Sequence, residues 1–446
     1  MDRNDKVQVI KNNNSKLISI FISVFGYSLF LLGAMNNYGM NNAACIYVLF
    51  LSFYFIWISK NNYLFAILFI ILFYCNYSVA FSQYIVVNKS TMYTQLSNSD
   101  ASKTGIYILL LFWSTLALFS SRKLPAFSTE DKNDFWSFGL KDNRSFVISI
   151  SIDVVLIIIL IYGFTRPDHF GERGSPSSYY EYSIILFILN YFFCTNKALN
   201  IITTGILFLY AGQNFLYGGR IMGLQLLILY YCMRLEKRIP LKRIVPYAVL
   251  GFVLFSIIGT NRGDWLISDY SLSKIMDDLS NNLFTLDTAY SAYHTSLTII
   301  LSETKSTFDI RFSMLFSFIK SVFWGGYGTI DNDVTRYSYT YYYHQNGGFL
   351  PFFFHFYLGW FGVVLIGIVV GLIYKACSIQ VHKLTGFKKC LLIYFVTTSF
   401  RWYIYSPIHL FRGVLILTLA YFVIYYLVLW TNHTNIQSDN NYDCSE

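Results

Sequence analysis

The chain has 446 residues, 55% of them hydrophobic and 20% aromatic, with only 13% charged and a formal net charge of +9. A charged fraction about half that of an ordinary water-soluble domain excludes a soluble globular fold. The positive excess sits mostly in short segments between apolar runs, where membrane insertion places it, and no nucleic-acid-binding motif accompanies it.

Apolar runs of about 17 to 25 residues recur from end to end, each long enough to cross roughly 30 Å of hydrocarbon as a helix, whereas barrel strands would alternate every second residue. The chain therefore reads as an all-α polytopic integral membrane protein, a single membrane domain over 1–446. After a basic, Asn-rich leader (1–16), the first run, Leu17 to Met35, is longer than a signal-peptide core and lacks a small-residue cleavage site, so it reads as a retained anchor. The predicted spans are 17–35, 43–59, 63–87, 105–121, 146–164, 182–195, 198–216, 221–235, 244–259, 350–374, 390–405 and 413–430, which makes twelve transmembrane helices. Between the seventh and eighth only Tyr217-Gly218-Gly219-Arg220 intervenes, a tight return or a broken helix.

With the N-terminus inside, 20 of the 33 Lys and Arg fall on the cytoplasmic side. Of the other 13, six lie in the long segment 260–349, which the positive-inside rule largely exempts, so the short-loop comparison is 20 against 7. An even number of spans then returns the tail 431–446 to the cytoplasm and leaves 260–349 as one large external loop. The seven cysteines fall in spans or on the cytoplasmic side, so no disulfide is expected.

Candidate chemistry gathers on the external face, since a loop of roughly 90 residues in a compact protein is usually functional or disordered, and this one carries helix-like apolar stretches such as Phe312 to Trp324. Cations differ between faces: outside there are 8 Arg (Arg166, Arg173, Arg220, Arg262, Arg311, Arg336, Arg401, Arg412) and 5 Lys, inside 6 Arg and 14 Lys. Topology does not distinguish the two residues, whereas a guanidinium fork binds phosphate bidentately and sheds water more readily than an ammonium. Arg220 and Arg262 stand out, because each borders a span beside glycine. Arg336, Arg311, Arg166, Arg173, Arg401 and Asp264 are the further candidates for substrate contact.

His344, in Tyr341-Tyr342-Tyr343-His344-Gln345-Asn346-Gly347-Gly348, suits a neutral imidazole that takes a proton from a sugar hydroxyl. His294, His355, Asp264, Asp331, Asp333 and Glu303 remain alternatives for that base. Asp331-Asn332-Asp333 has the form of a divalent-cation element, but such a tripeptide is common by chance and no metal is assigned. No zinc-spaced ligand pair and no phosphate-cradling Gly-x-x-x-x-Gly-Lys loop occurs, and no cofactor is expected. Asp153 in the fifth span and Asn76 in the third should face the bundle interior with partners that the sequence does not identify.

Three segments carry a family resemblance: Tyr217-Gly-Gly-Arg-Ile-Met-Gly223, Gly259-Thr-Asn-Arg-Gly-Asp264, and Gly347-Gly-Phe-Leu-Pro351 leading into Tyr357-Leu-Gly-Trp-Phe-Gly362. In these and in its architecture the chain resembles bacterial O-antigen polymerases of the Wzy type, which are related to the O-antigen ligases. An Arg-x10-Gly element found in some members fits Arg336 to Gly347, a match expected by chance about half the time. The resemblance implies a GT-C-like membrane glycosyltransferase of the inner membrane with its large loop in the periplasm. It implies transfer of a growing glycan from undecaprenyl diphosphate to the non-reducing end of another lipid-linked repeat unit, with inversion and without a metal. By similarity to the ligases, Arg220 and Arg262 would hold the donor diphosphate and His344 would assist the acceptor hydroxyl. The implied partners are the lipid-linked oligosaccharide, membrane lipid, a chain-length-determinant protein and a flippase, with no nucleic acid.

A ligase shares architecture and chemistry and differs in its acceptor alone. A lipid-linked-oligosaccharide flippase should show two similar halves and compact loops instead of one dominant external segment. A membrane acyltransferase should carry histidine or arginine early in its helical core, yet the first histidine is His169 and the first four spans contain no arginine.

Overall fold

The computed structural model describes residues 3–84, 100–120, 144–166, 174–194, 196–217, 220–236, 239–243, 246, 288–345, 347–378 and 384–442. Its elements are α1 (Arg3–Met35), α2 (Asn41–Ser59), α3 (Tyr63–Val79) with a π turn (Ala80–Tyr84), α4 (Asp100–Ala117), α5 (Arg144–Tyr162), a strand pair β1 (Phe164–Thr165) and β2 (Ser175–Pro176), α6 (Ser178–Phe193) and α7 (Lys197–Leu216). They continue as α8 (Arg220–Tyr230) with a second π turn (Tyr231–Leu235), α9 (Thr288–Glu303), α10 (Phe308–Trp324), α11 (Val334–Tyr339), α12 (Leu350–Leu358), α13 (Trp360–Cys377), α14 (Gly386–Thr397), α15 (Ser399–Ile404) and α16 (Ile408–Tyr442). The protein is an all-α membrane protein. Among the described residues five helical segments are long and apolar enough to cross a bilayer: Lys16–Met35, Asn41–Ser59, Lys197–Leu216, Trp360–Cys377 and Ile408–Leu427. Tyr63–Val79, Phe146–Tyr162 and Ile221–Leu235 are shorter apolar helices, and the predicted run 244–259 lies almost wholly outside the described residues.

Side-chain patterning decides which face of each helix turns inward. On α5, Val147, Val154, Ile158 and Ile161 are exposed, whereas Ser149, Ile152, Asp153 and Leu156, at i, i+3, i+4 and i+7, are buried. An exposed apolar stripe opposite a buried polar one suits a helix with lipid on one side and protein on the other. α4 lies at the centre, buried from Gly105 to Ala117 and packed by α1, α2, α9, α12 and α13. Small residues let it approach its neighbours, as where Gly26 meets Ser114 and Gly367 meets Thr115. Asn76 finds partners here: its amide donates to the Ser52 hydroxyl at 2.7 Å and its carbonyl accepts from Tyr403 at 3.3 Å, which ties α2 and α15 to α3.

Two predicted segments look different in three dimensions. The apolar run 350–374 is two helices, because Gly359 takes φ +62° and turns the chain between α12 and α13. Part of the long loop does not cap the bundle from outside: α9 is driven between α3, α4 and α12, with Tyr293 bonded to Tyr84 at 2.5 Å and Ser296 accepting from the Phe349 amide at 2.8 Å. A polar-looking segment can occupy that place because its Ser and Thr hydroxyls bond back to carbonyls of their own helix.

α12 and α13 cross so closely that a Cβ on Gly362 would stand 2.0 Å from the Phe354 carbonyl oxygen. Backbone cannot yield there as a side-chain tip would. Gly362→Ala is therefore expected to destabilise the protein by about 1–3 kcal/mol, read as a lower thermal-unfolding midpoint in detergent. An unchanged midpoint would show that the two helices part without cost.

Candidate functional site

The hairpin formed by α14, α15 and α16 turns at Thr398–Pro407, and its turn is covered by the loop 325–348 and by α10. Gly348 donates to the Ile404 carbonyl at 3.0 Å, the Ser406 hydroxyl bonds Tyr327 at 2.9 Å, and Phe318 of α10 packs on Phe411. Charged groups converge in this recess. Arg401 of α15 pairs with Glu181 of α6 at 2.5 Å, the two side chains being 13% and 25% exposed. Arg412, one turn into α16, donates to the Ser321 carbonyl, and its charge lies close to Tyr182. His409 lies one turn before it along the chain, its ring 5.9 Å from that of Tyr182, and its carbonyl accepts from Tyr394 at 2.5 Å.

Among the described residues the recess holds two guanidinium groups against one carboxylate. The Nε of Arg412 is buried with no hydrogen-bond acceptor among the described residues. A buried donor on a cation is costly when unmet, and the natural partner for it is an anion. The sequence pointed to Arg401 but left Arg412 among the generic external arginines and passed over Glu181 and His409. The spacing Arg401-x7-His409-x2-Arg412 was there to be read, but only the hairpin turn gives it meaning.

Arg166 follows β1 directly and is exposed. Gly174, leading into β2, donates to the Tyr217 carbonyl at 3.1 Å, which joins the turn before α8 to the start of α6, where Glu181 lies. Arg220 opens α8, a helix that packs on α14 and α15. The side chain of Arg220, and all of Arg173, Arg262 and Asp264, lie outside the described residues.

A second group surrounds Glu303 at the end of α9. His355 of α12 places Nδ1 2.6 Å from Glu303 Oε1, and Arg311 of α10 stands 3.8 Å from Oε2. The Trp360 ring packs edge-on against His355 at 4.7 Å, and Tyr38 stacks on Trp360 at 6.0 Å. A carboxylate on Nδ1 fixes the orientation of the imidazole and leaves Nε2 for another partner. Arg311 also donates to the Phe356 carbonyl at 3.4 Å, while its Nε is buried without an acceptor. This group is not remote from the first, because Phe354, next to His355, packs on Phe411, next to Arg412.

His344 is only 3% exposed, with Nε2 3.1 Å from the Thr335 carbonyl. Since a carbonyl only accepts, Nε2 carries the proton and Nδ1 is the basic atom. Burial lowers its pKa to about 4, with the Arg336 charge adding to the effect against the Thr335 bond. His294 is likewise lowered to about 4, by burial first and then by His344. Both imidazoles are thus neutral near pH 7. Their folded pKa lies below the unfolded value of 6.5, so the unfolded chain takes up more protons between these values. Stability is then full above about pH 6.5 and falls as pH drops toward 4, by up to about 1.4 kcal/mol per unit for each histidine. Hydrogen exchange over 334–345 is expected to accelerate across that window in the wild type and to respond less in His344→Gln; an identical response in both would clear His344 of that role.

Arg336 is exposed on α11. Asp331-Asn332-Asp333 is a turn and a helix cap. The Asp333 carboxylate accepts from the Thr335 amide at 3.0 Å and the Thr335 hydroxyl at 2.6 Å, capping α11, and burial raises its pKa. Asn332 accepts from the amides of Gly328 and Thr329 and donates to the Gly326 carbonyl, holding a turn in which Gly325, Gly326 and Gly328 all have positive φ. Asp331 is exposed, and among the described residues no group of three or more His, Cys, Asp or Glu is placed to hold a metal ion.

No protein-family model, curated protein or solved structure matches the chain.

Proposed function

We propose that the chain is a membrane glycosyltransferase of the O-antigen polymerase type, with about twelve transmembrane helices, a GT-C-like architecture and both termini in the cytoplasm. Its site would open on the periplasmic face of the inner membrane. It would move a glycan from one undecaprenyl-diphosphate-linked chain to the non-reducing end of another lipid-linked repeat unit, extending O-antigen or a related surface polysaccharide. The observation that carries this reading is the recessed pair Arg401 and Arg412, an excess of guanidinium with an unmet buried donor, inside an all-α membrane protein. A lipid-linked diphosphate has the charge, and its attachment to the bilayer the location, that such a recess accepts.

In the reaction an acceptor sugar hydroxyl loses its proton to a base, its oxygen bonds to the anomeric carbon of the donor, and the bond from that carbon to the diphosphate breaks with its electron pair on the phosphate oxygen. Arg401 and Arg412 offset the charge that grows on this leaving group, which is the electrostatic mode of catalysis. Arg220 and Arg262 would also hold the donor diphosphate, and Arg166, Arg173 and Arg336, with Asp264, would contact the glycan. For the base, His355 is better supported than His344. It has an orienting carboxylate and a second nitrogen that does not face that carboxylate, and Trp360 and Tyr38 beside it offer aromatic faces on which a sugar ring can stack.

A strain lacking the gene tests the reading through its surface polysaccharide. Single capped repeat units are the expected result. Complete loss of the polysaccharide with long lipid-linked chains accumulating would make the protein a ligase, and lipid-linked units trapped on the cytoplasmic face would make it a flippase.

A further inference from the structure

Far from these clusters, Asp153 is buried on the inward face of α5 at 4% exposure, among Ser149, Asn190 and Thr203, each 1% exposed. Its Oδ1 accepts from the Asn190 amide at 2.8 Å, and Thr203 Oγ1 lies 2.9 Å from Oδ1 and 3.1 Å from Oδ2. The same Asn190 nitrogen lies 3.0 Å from Thr203 Oγ1, and the Ser149 hydroxyl donates to Asn190 Oδ1 at 2.6 Å. Every one of these partners is neutral. Among the described residues no ion pair involves Asp153, and Arg234 is engaged elsewhere: it stacks on the Tyr191 ring at 4.8 Å and donates to Asn200. A lone carboxylate in such surroundings carries a desolvation cost that hydrogen bonds from neutral groups offset only in part.

One assignment of the hydrogens fits the same reading. Thr203 Oγ1 has one proton and three oxygens in reach, the two of Asp153 and the Leu199 carbonyl at 3.0 Å. If that proton goes to Leu199, a bond between Asp153 and Thr203 needs a second hydrogen, which only the acid can supply. The Thr203 oxygen then accepts from Asn190 and from Asp153 and donates to Leu199, and Asn190 uses both amide hydrogens. No donor is left over.

We infer that Asp153 is an intramembrane proton-binding site: it holds a proton on Oδ2, donates it to Thr203 Oγ1, and so forms a neutral joint between α5, α6 and α7. A sodium ion fits less well, because Asn190 presents its amide nitrogen to Asp153 where a hard cation needs oxygen.

The test uses the full chain in lipid nanodiscs. Infrared spectra should contain the carbonyl stretch of a protonated carboxyl group that Asp153→Asn removes. Because an amide keeps one acceptor and one donor in the same places, Asp153→Asn should keep the wild-type unfolding midpoint, whereas Asp153→Ala and Thr203→Val should each lower it by several degrees. Replacing sodium by choline should change nothing. The inference is overturned if Asp153→Asn fails to fold or unfolds as early as Asp153→Ala, if no protonated-carboxyl band is lost, or if sodium raises the midpoint.

Discussion

Arg401→Ala is expected to slow chain extension by about 10²- to 10³-fold while the protein still inserts and folds, and Arg412→Ala to do the same. The two arginines stand in one recess where, among the described residues, a single carboxylate pairs with Arg401 and Arg412 keeps a buried Nε without an acceptor. The competing view is that Arg401 exists to neutralise Glu181. Partly buried pairs of this kind are costly to break from one side, because the remaining charge is stranded, so a loss of stability in Arg401→Ala alone would not separate the two views. The double variant Arg401→Met with Glu181→Met does. If the pair is only structural, removing both charges should restore extension; if Arg401 meets the donor diphosphate, extension stays lost while the unfolding midpoint recovers. Lipid-linked chain lengths from membranes of each strain give the readout. Normal long chains from the double variant would remove Arg401 from the mechanism. Arg401→Lys is expected to fall between, since an ammonium keeps the charge but not the planar fork.

His355→Ala should cost about 10²- to 10⁴-fold in rate, the range for removing a general base, and Glu303→Gln should cost less, because the imidazole stays but loses the carboxylate that orients it. His344→Ala should leave the rate at saturating substrate close to normal. The contrast rests on geometry. Both rings are buried, but His355 spends one ring nitrogen on Glu303 at 2.6 Å and has Trp360 at its edge, whereas His344 directs its N–H at the Thr335 carbonyl. The competing view is that the Glu303 group serves only to clamp α9, α10 and α12 together. Unfolding midpoints decide between them: His355→Gln, which retains a hydrogen-bonding side chain, should keep the midpoint and lose the rate. If His355→Gln retains the wild-type rate, or if His344→Ala abolishes it in a folded protein, the base has been misassigned.

Hydropathy alone shows that this chain lives in a bilayer, because the free energy of moving a residue from water to hydrocarbon depends on that residue and its near neighbours. It found the runs that became α1, α2, α7, α13 and α16, and it marked Asp153 and Asn76 as residues that must have partners. The uneven distribution of arginine and lysine along the chain brought Arg401 and Arg311 into view. Hydropathy could not see that the run 350–374 breaks at Gly359, since the transfer energy of Phe354 or Val363 is the same on either side of a turn. Nor could it place α9 inside the bundle, because its polar groups satisfy themselves along the helix and look, residue by residue, like a segment meant for water. Which carboxylate meets which guanidinium was decided by folding alone. Glu181 and Arg401 are 220 positions apart, as Asp153 and Thr203 are 50, and such pairs form only when whole helices pack and bring groups that the chain keeps far apart into one desolvated place.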